Sequence, residues 1–213
     1  MNASDDLDKV VRSALHQLSA IEARLARTGL SPKEAERNVG LCLIDTQSAW
    51  SLFVRSFFIS CYFGAKRGGG GRVTTTRPAP HMPADSIRWA SLRLNPTLAT
   101  RRRPIGPLDE PRWHMPWVLP RLAQDAGFSN LPQVHVAFAV PGHALDDLPK
   151  ARIFYAHRSH HTAISLKSLI PKYGLPANIR AGEIPGHPHP ARPGSVAEYW
   201  VAQIIAMVRL LPA

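Results

Sequence analysis

The stretch that most constrains this chain runs over residues 41–63, where Trp, Phe, Leu, Ile and Cys crowd a segment long enough to cross a bilayer. Asp45 and Arg55 lie inside it, with Gln47 and several serines, and ionisable groups at membrane depth are costly. The segment is therefore expected to be a helix buried in a helical bundle rather than a membrane span. Its start is written upstream. Ser31, Pro32, Lys33 and Glu34 supply an N-cap, a proline at the first helical position and a capping-box glutamate. The helix is expected to run from there to Phe63, with a break near Gly40.

So apolar a helix needs partners, and the rest of the chain supplies them. Leu7, Val10, Val11, Leu15, Leu18, Ile21 and Leu25 form one apolar stripe at helical spacing, capped by Ser4 or Asp5 and ended at Gly29. Val196, Trp200, Ile204, Met207, Val208 and Leu211 mark the buried face of a closing helix. Short helices are expected over 84–94 and 116–126. A further helix is expected from Asp146 or Asp147, through Pro149, to about residue 170. Residues 133–140 are β-branched but have no second strand to pair with, and are expected to be irregular. The expected architecture is all-α: an antiparallel four- to five-helix bundle forming one domain of residues 1–213.

Two insertions interrupt this pattern. Residues 64–82 hold four consecutive glycines among Lys66, Arg67, Arg72 and Arg77, and residues 95–116 are proline-rich around Arg101, Arg102 and Arg103. Neither has enough apolar surface to order itself, so both are expected to be flexible basic loops. The formal net charge of +11, from 26 Lys and Arg against 15 Asp and Glu, draws polyanions to the surface. Arg67, Arg72, Arg101, Arg102 and Arg103 are accordingly candidate phosphate contacts. The glycine run is no phosphate loop, because it lacks the G-x-x-x-x-G-K-[ST] pattern. Cys42 and Cys61 both sit in the apolar stretch and imply no disulfide framework, which fits a reducing compartment. With a polar, acidic first ten residues in place of a secretory signal, a cytoplasmic protein without membrane partners is expected.

The chemistry is concentrated in residues 144–170. Arg152 is followed by Ile-Phe-Tyr-Ala and then His157, with Arg158, His160 and His161 close behind. This resembles the R-x4-6-H motif of the HEPN (higher eukaryotes and prokaryotes nucleotide-binding) ribonucleases. The detailed likeness covers residues 150–163. Ile153 stands where that family often has Asn, Asp or His. Imidazole titrates near neutrality and moves protons, while guanidinium clamps a phosphate and stays charged, so metal-free cleavage of RNA by its own 2′-hydroxyl suits the pair. His157 is then the general base or acid and Arg152 the phosphate clamp, with Arg158, His160 and His161 as further nucleic-acid contacts. At about 100° per residue the two motif residues stand roughly 140° apart on a straight helix. The resemblance implies a homodimer in which both motif helices line one cleft.

The resemblance also implies a prokaryotic toxin or defence effector and a neutralising antitoxin such as a nucleotidyltransferase. In that family a polar residue of an earlier helix supports the motif, a role that falls to Asp45; a structural pair of Asp45 with Arg55 or Arg152 is the other reading. His157 and His161, four apart, have the spacing of a metal pair, but no Glu follows His157 and the remaining histidines His187 and His189 lie in a proline-rich segment. No metal or cofactor is expected. A basic solvent face, or a non-catalytic HEPN module that binds nucleic acid or a partner protein, would produce the same string of residues.

Overall fold

The computed structural model describes residues 6–78, 81–101, 104–139 and 142–211. Among these the regular structure is all helical, a helical bundle with isolated bridges in place of any sheet. The α-helices are α1 (Leu7–Leu25), α2 (Pro32–Tyr62), α3 (Pro83–Leu94), α4 (Val118–Ala126), α5 (Leu131–Phe138), α6 (Ala144–His157), α7 (His160–Lys167) and α8 (Val196–Leu210). Among the described residues, no helix is long and apolar enough to cross a membrane. The contacts divide into two compact units: residues 1–14, 50–139 and 207–213 form one, and residues 15–49 and 140–206 the other. Helices α1, α2 and α8 contribute residues to both.

The start of α2 follows the sequence closely. Ser31 N donates to Glu34 Oε2 at 2.9 Å and Glu34 N donates back to Ser31 Oγ at 3.4 Å, closing the capping box. The expected break at Gly40 does not occur, and α2 runs through it. Glycine is there for a close approach: a Cβ at residue 40 would lie 2.5 Å from the Tyr155 ring of α6. Helix α8 opens on an analogous box between Ser195 and Glu198.

In the first unit the core is aromatic. Phe58 of α2 has ring centroids at 5.5 Å from Trp113, 5.6 Å from Tyr62 and 5.7 Å from Phe128. Residues 133–140, expected to be irregular, belong to α5 as far as Phe138; Pro132 stands at its start, Val134 and Ala137 are buried, and Phe138 meets Trp50 at 5.9 Å. Packing on that apolar face overrides the strand preference of the two valines.

Neither insertion behaves as a free loop where it is described. Leu7 N donates to Lys66 O and Val73 N to Ala65 O, both at 3.0 Å, and Ala65 and Val73 are buried. Those two small apolar residues anchor the segment, and Gly70 and Gly71, at φ 89° and 76°, turn the chain between them where other residues would be strained. Thr76 N donates to Ala126 O, and Ser129 N to Thr74 O. In the second insertion a 3-10 turn at Pro96–Thr100 buries its own Leu98, another follows at Pro107–Asp109, and Arg55 of α2 holds Glu110 through two hydrogen bonds of 2.8 and 3.2 Å.

The core of the second unit includes Leu18, Ile21, Leu43, Leu148, Leu166, Ile184, Trp200 and Ile204, all buried. Each such side chain stabilises the fold by about 1.5–3 kcal/mol relative to exposure. Within this unit α6 packs on α7, and α7 on the 3-10 turn Ala181–Glu183.

Candidate functional site

Helix α6 carries both motif residues, but its bounds differ from those read in the sequence. It begins at Ala144, so that Asp146 and Asp147 lie inside its first turn and Pro149 within the helix. It ends at His157, because Arg158 adopts a left-handed conformation at φ 44° and Arg158 N closes on Phe154 O at 2.7 Å. Among the described residues Arg158 is the one non-glycine residue with positive φ. Such strain, of order 1–3 kcal/mol, collects at functional sites. A new helix, α7, starts at once. Ser159 caps it, with Thr162 N donating to Ser159 Oγ at 3.2 Å and Ser159 N to Thr162 Oγ1 at 3.0 Å. The single helix expected to run on to about residue 170 is therefore interrupted here, and Thr162 stands where a capping box usually has Glu or Gln.

This break shapes the candidate site. Arg152 is half-buried beside the packed face of Ala151 and Phe154, while His157 is exposed at the last position of the helix. Neither side chain has a hydrogen bond or ion pair with another described residue. His160 and His161 are exposed in the first turn of α7, equally without partners among the described residues. Arg158 is tied down: its guanidinium lies 3.4 Å from Glu36 of α2 and 5.8 Å from the Tyr155 ring centroid. Tyr155 itself donates from its hydroxyl to Gly182 O at 2.7 Å. Burial, with the Glu36 carboxylate adding to it, pushes the Tyr155 hydroxyl well above its ordinary pKa, so it stays a donor.

Asp45 departs from both readings of it. Its carboxylate accepts from Arg24 Nη1 at 2.7 Å, an ion pair between α1 and α2, and that hydrogen bond raises the Arg24 pKa. Arg55 pairs with Glu110 instead. Ten residues along one helix separate Asp45 from Arg55 by about 15 Å, beyond the reach of any side chain.

The loop arginines are more engaged than solvated phosphate contacts would be. Arg72 Nη1 donates to Gly64 O at 2.9 Å, and Arg101 Nη1 to Asp109 Oδ1 at 2.8 Å. Arg67 is half-buried, with its Nε enclosed and without a partner. Arg102 and Arg103 lie outside the described residues, as do Ser4 and Asp5.

The feature that sequence reading missed is Asp147. It is 1% exposed, and its carboxylate meets Lys172 Nζ at 2.6 Å and accepts from the Tyr173 hydroxyl at 2.7 Å. Trp200 Nε1 of α8 donates to the same hydroxyl at 2.7 Å. The group ties the first turn of α6 to α8. Its only signal was a second aspartate beside one already able to cap the helix, which carries no mark of burial. A pocket of about 440 Å³ in the same unit is lined by Glu36, Glu183, Glu198 and His187, but internal donors hold all three carboxylates. Among the described residues no three His, Cys, Asp or Glu side chains gather as metal ligands.

The arrangement thus places an exposed imidazole and a half-buried guanidinium on one helix, the imidazole next to its strained end. No family model, curated protein or solved structure matches the chain, so its functional reading rests on this geometry and on the motif.

Proposed function

We propose that this chain is a metal-independent endoribonuclease of the HEPN type, acting in the cytoplasm as a prokaryotic toxin or defence effector. The observation that carries the reading is the state of Arg152 and His157: two groups suited to phosphoryl chemistry share α6, and no described residue neutralises either. A base removes the proton of the RNA 2′-hydroxyl, and that oxygen attacks the adjacent phosphorus. Negative charge accumulates on the phosphorane, where Arg152 stabilises it. The 5′-oxygen then leaves with a proton supplied by an acid. One fragment ends in a 2′,3′-cyclic phosphate and the other begins with a 5′-hydroxyl. His157 performs one of the two proton transfers.

Because the two side chains stand roughly 140° apart on the helix, one copy presents them to different directions. A two-fold dimer brings an arginine and a histidine from both motif helices to a single cleft. Ile153 on α6 and Ile164 on α7, 43% and 56% exposed, provide apolar surface for such a contact. Ile153 also favours a second reading, a non-catalytic HEPN module, since it replaces the polar neighbour that many family members have. A neutralising nucleotidyltransferase partner belongs to the first reading only.

Incubating the chain with total RNA in EDTA tests the proposal. Cleavage at an undiminished rate, with 2′,3′-cyclic phosphate or 3′-phosphate ends, supports it; a 3′-hydroxyl product or EDTA-sensitive cleavage contradicts it. Light scattering at micromolar concentration should give a dimer. A strict monomer that cuts RNA would remove the composite cleft.

A further inference from the structure

A cleft of about 520 Å³ lies wholly in the first unit, between the end of α3 and the segment leading into α4. Its volume falls in the range of about 300–1,000 Å³ usual for small-ligand sites. Two carboxylates line it, yet neither is available to a ligand. Asp109 accepts from Arg101 Nη1 at 2.8 Å and from Gly106 N at 3.0 Å. Glu110 accepts from Arg55 Nε at 2.8 Å, Arg55 Nη2 at 3.2 Å and Trp113 Nε1 at 3.2 Å. Both acids are neutralised by arginines of the fold.

Arg112 is different. It is exposed and lines the cleft, and its guanidinium has no hydrogen bond or ion pair with another described residue. The same cleft is lined by two large apolar side chains that the fold leaves uncovered. Trp117 is 52% exposed and Leu108 94% exposed, whereas Trp50, Trp113 and Trp200 are all buried. The ring of Trp117 makes no contact with another described aromatic ring. Buried Leu98 adds an apolar lining.

A half-exposed indole and a free guanidinium lining one cleft fit a flat aromatic ring joined to a phosphate, which is a nucleotide unit. A duplex keeps its bases stacked on each other, so a protein ring gains a face only from an unpaired strand. An acidic peptide would satisfy Arg112 but bring nothing to stack on Trp117. We propose that this cleft is a stacking subsite for single-stranded RNA, in which Trp117 takes a base on its exposed face and Arg112 holds the adjoining phosphate. The proposal rests on RNA being the ligand, as above, and is independent of the chemistry of Arg152 and His157.

The test uses the full chain carrying His157→Ala, so that RNA is bound without being cut. The probe is a labelled oligouridine of about 12 nucleotides, within the span of known single-strand sites, with fluorescence anisotropy read at several salt concentrations. Trp117→Ala should weaken binding about tenfold, the lower part of the range for loss of one base stack, and Trp117→Phe should restore most of it. Arg112→Gln should weaken binding and lower the log–log salt slope by about 0.7, one phosphate contact on a single strand. An RNA duplex of equal length should be insensitive to Trp117→Ala.

Unchanged affinity in both variants, each with the parent's unfolding midpoint, overturns the subsite. Competition by free uridine monophosphate as strong as by the strand would make it a mononucleotide pocket and also overturn it, as would displacement of RNA by an acidic peptide at equal concentration. The two proposals fail separately. Wild-type chain that binds through Trp117 and cuts nothing removes the nuclease and leaves the subsite. Wild-type chain that cuts RNA with a KM indifferent to Trp117→Ala removes the subsite and leaves the nuclease.

Discussion

Four ion-paired arginines of the first unit and the basic residues at the end of α6 carry the same charge in opposite states. In the first unit Arg55 is held by Glu110, Arg93 and Arg121 by Asp125, and Arg101 by Asp109. At the end of α6, Arg152, His157, His160 and His161 have no partner among the described residues, and Arg158 reaches Glu36 only at 3.4 Å. Where the chain folds back on itself through long connections, arginine serves as internal glue. Where a helix ends in the open, the cations face solvent and whatever anion arrives. A net charge of +11 therefore overstates the surface offered to a polyanion in one region and describes it fairly in the other.

The first turn of the same helix sharpens this contrast, because its charge is buried. Removing Asp147 leaves Lys172 without its carboxylate and the Tyr173 hydroxyl without its acceptor. Lys172 keeps about 30% of its side chain exposed and can turn to water, so the loss is chiefly that of the hydrogen bonds to a buried carboxylate, about 1.5–3 kcal/mol. Asp147→Ala should therefore lower the urea midpoint by far more than His157→Ala does. Equal midpoints would break the distinction between the two ends of α6.

A smaller effect is expected at the contact that seats α6 on α2. Gly40→Ala places a methyl group within 2.5 Å of the Tyr155 ring, and overpacking of this kind costs about 1–3 kcal/mol. If the position of α6 matters to catalysis, cleavage should fall by more than the stability loss explains, read as kcat on fully folded protein. A variant as active and stable as the parent would show that this seat is not needed.

Smallest is a change confined to acid. Burial raises the Glu110 pKa, but hydrogen bonds from Arg55 and Trp113, with the charge of Arg55, outweigh it and hold the carboxyl below its ordinary value of 4.5. A carboxyl depressed on folding contributes stability that is present above pH 4.5 and is lost as pH falls through the lower folded value. Glu110→Gln should cost about 1–2 kcal/mol at neutral pH, and the gap to the parent should close below that window. A gap that stays constant between pH 7 and pH 3 would show that charge is not what the pair contributes.

Local signals made much of this fold legible. Ser31 to Glu34 encodes its own cap, and the apolar stripes of α1 and α8 are written at helical spacing, because these features depend on residues a few positions apart. Contacts between distant segments are not written that way. The glycine run reads as a free loop until Ala65 and Val73 are seen to be buried, and Asp45 could be matched to its partner only once α1 and α2 were side by side. The same limit hid Asp147, whose partners come from 25 and more residues away. The motif was legible as a string of residues, whereas the helix break at Arg158 that leaves His157 exposed was not, since a left-handed arginine has no sequence mark of its own.

The proposed chemistry requires His157 and Arg152 to act on RNA, and single-turnover cleavage of a labelled RNA in EDTA measures this most directly. The parent, His157→Ala and Arg152→Ala should be compared at equal folded concentration. Each variant should cut at least about a hundredfold more slowly, the scale of general acid–base and electrostatic groups, with RNA binding retained in His157→Ala. Full activity in His157→Ala would contradict the mechanism, and a folded dimer that binds RNA and never cuts it would leave the binding module in its place.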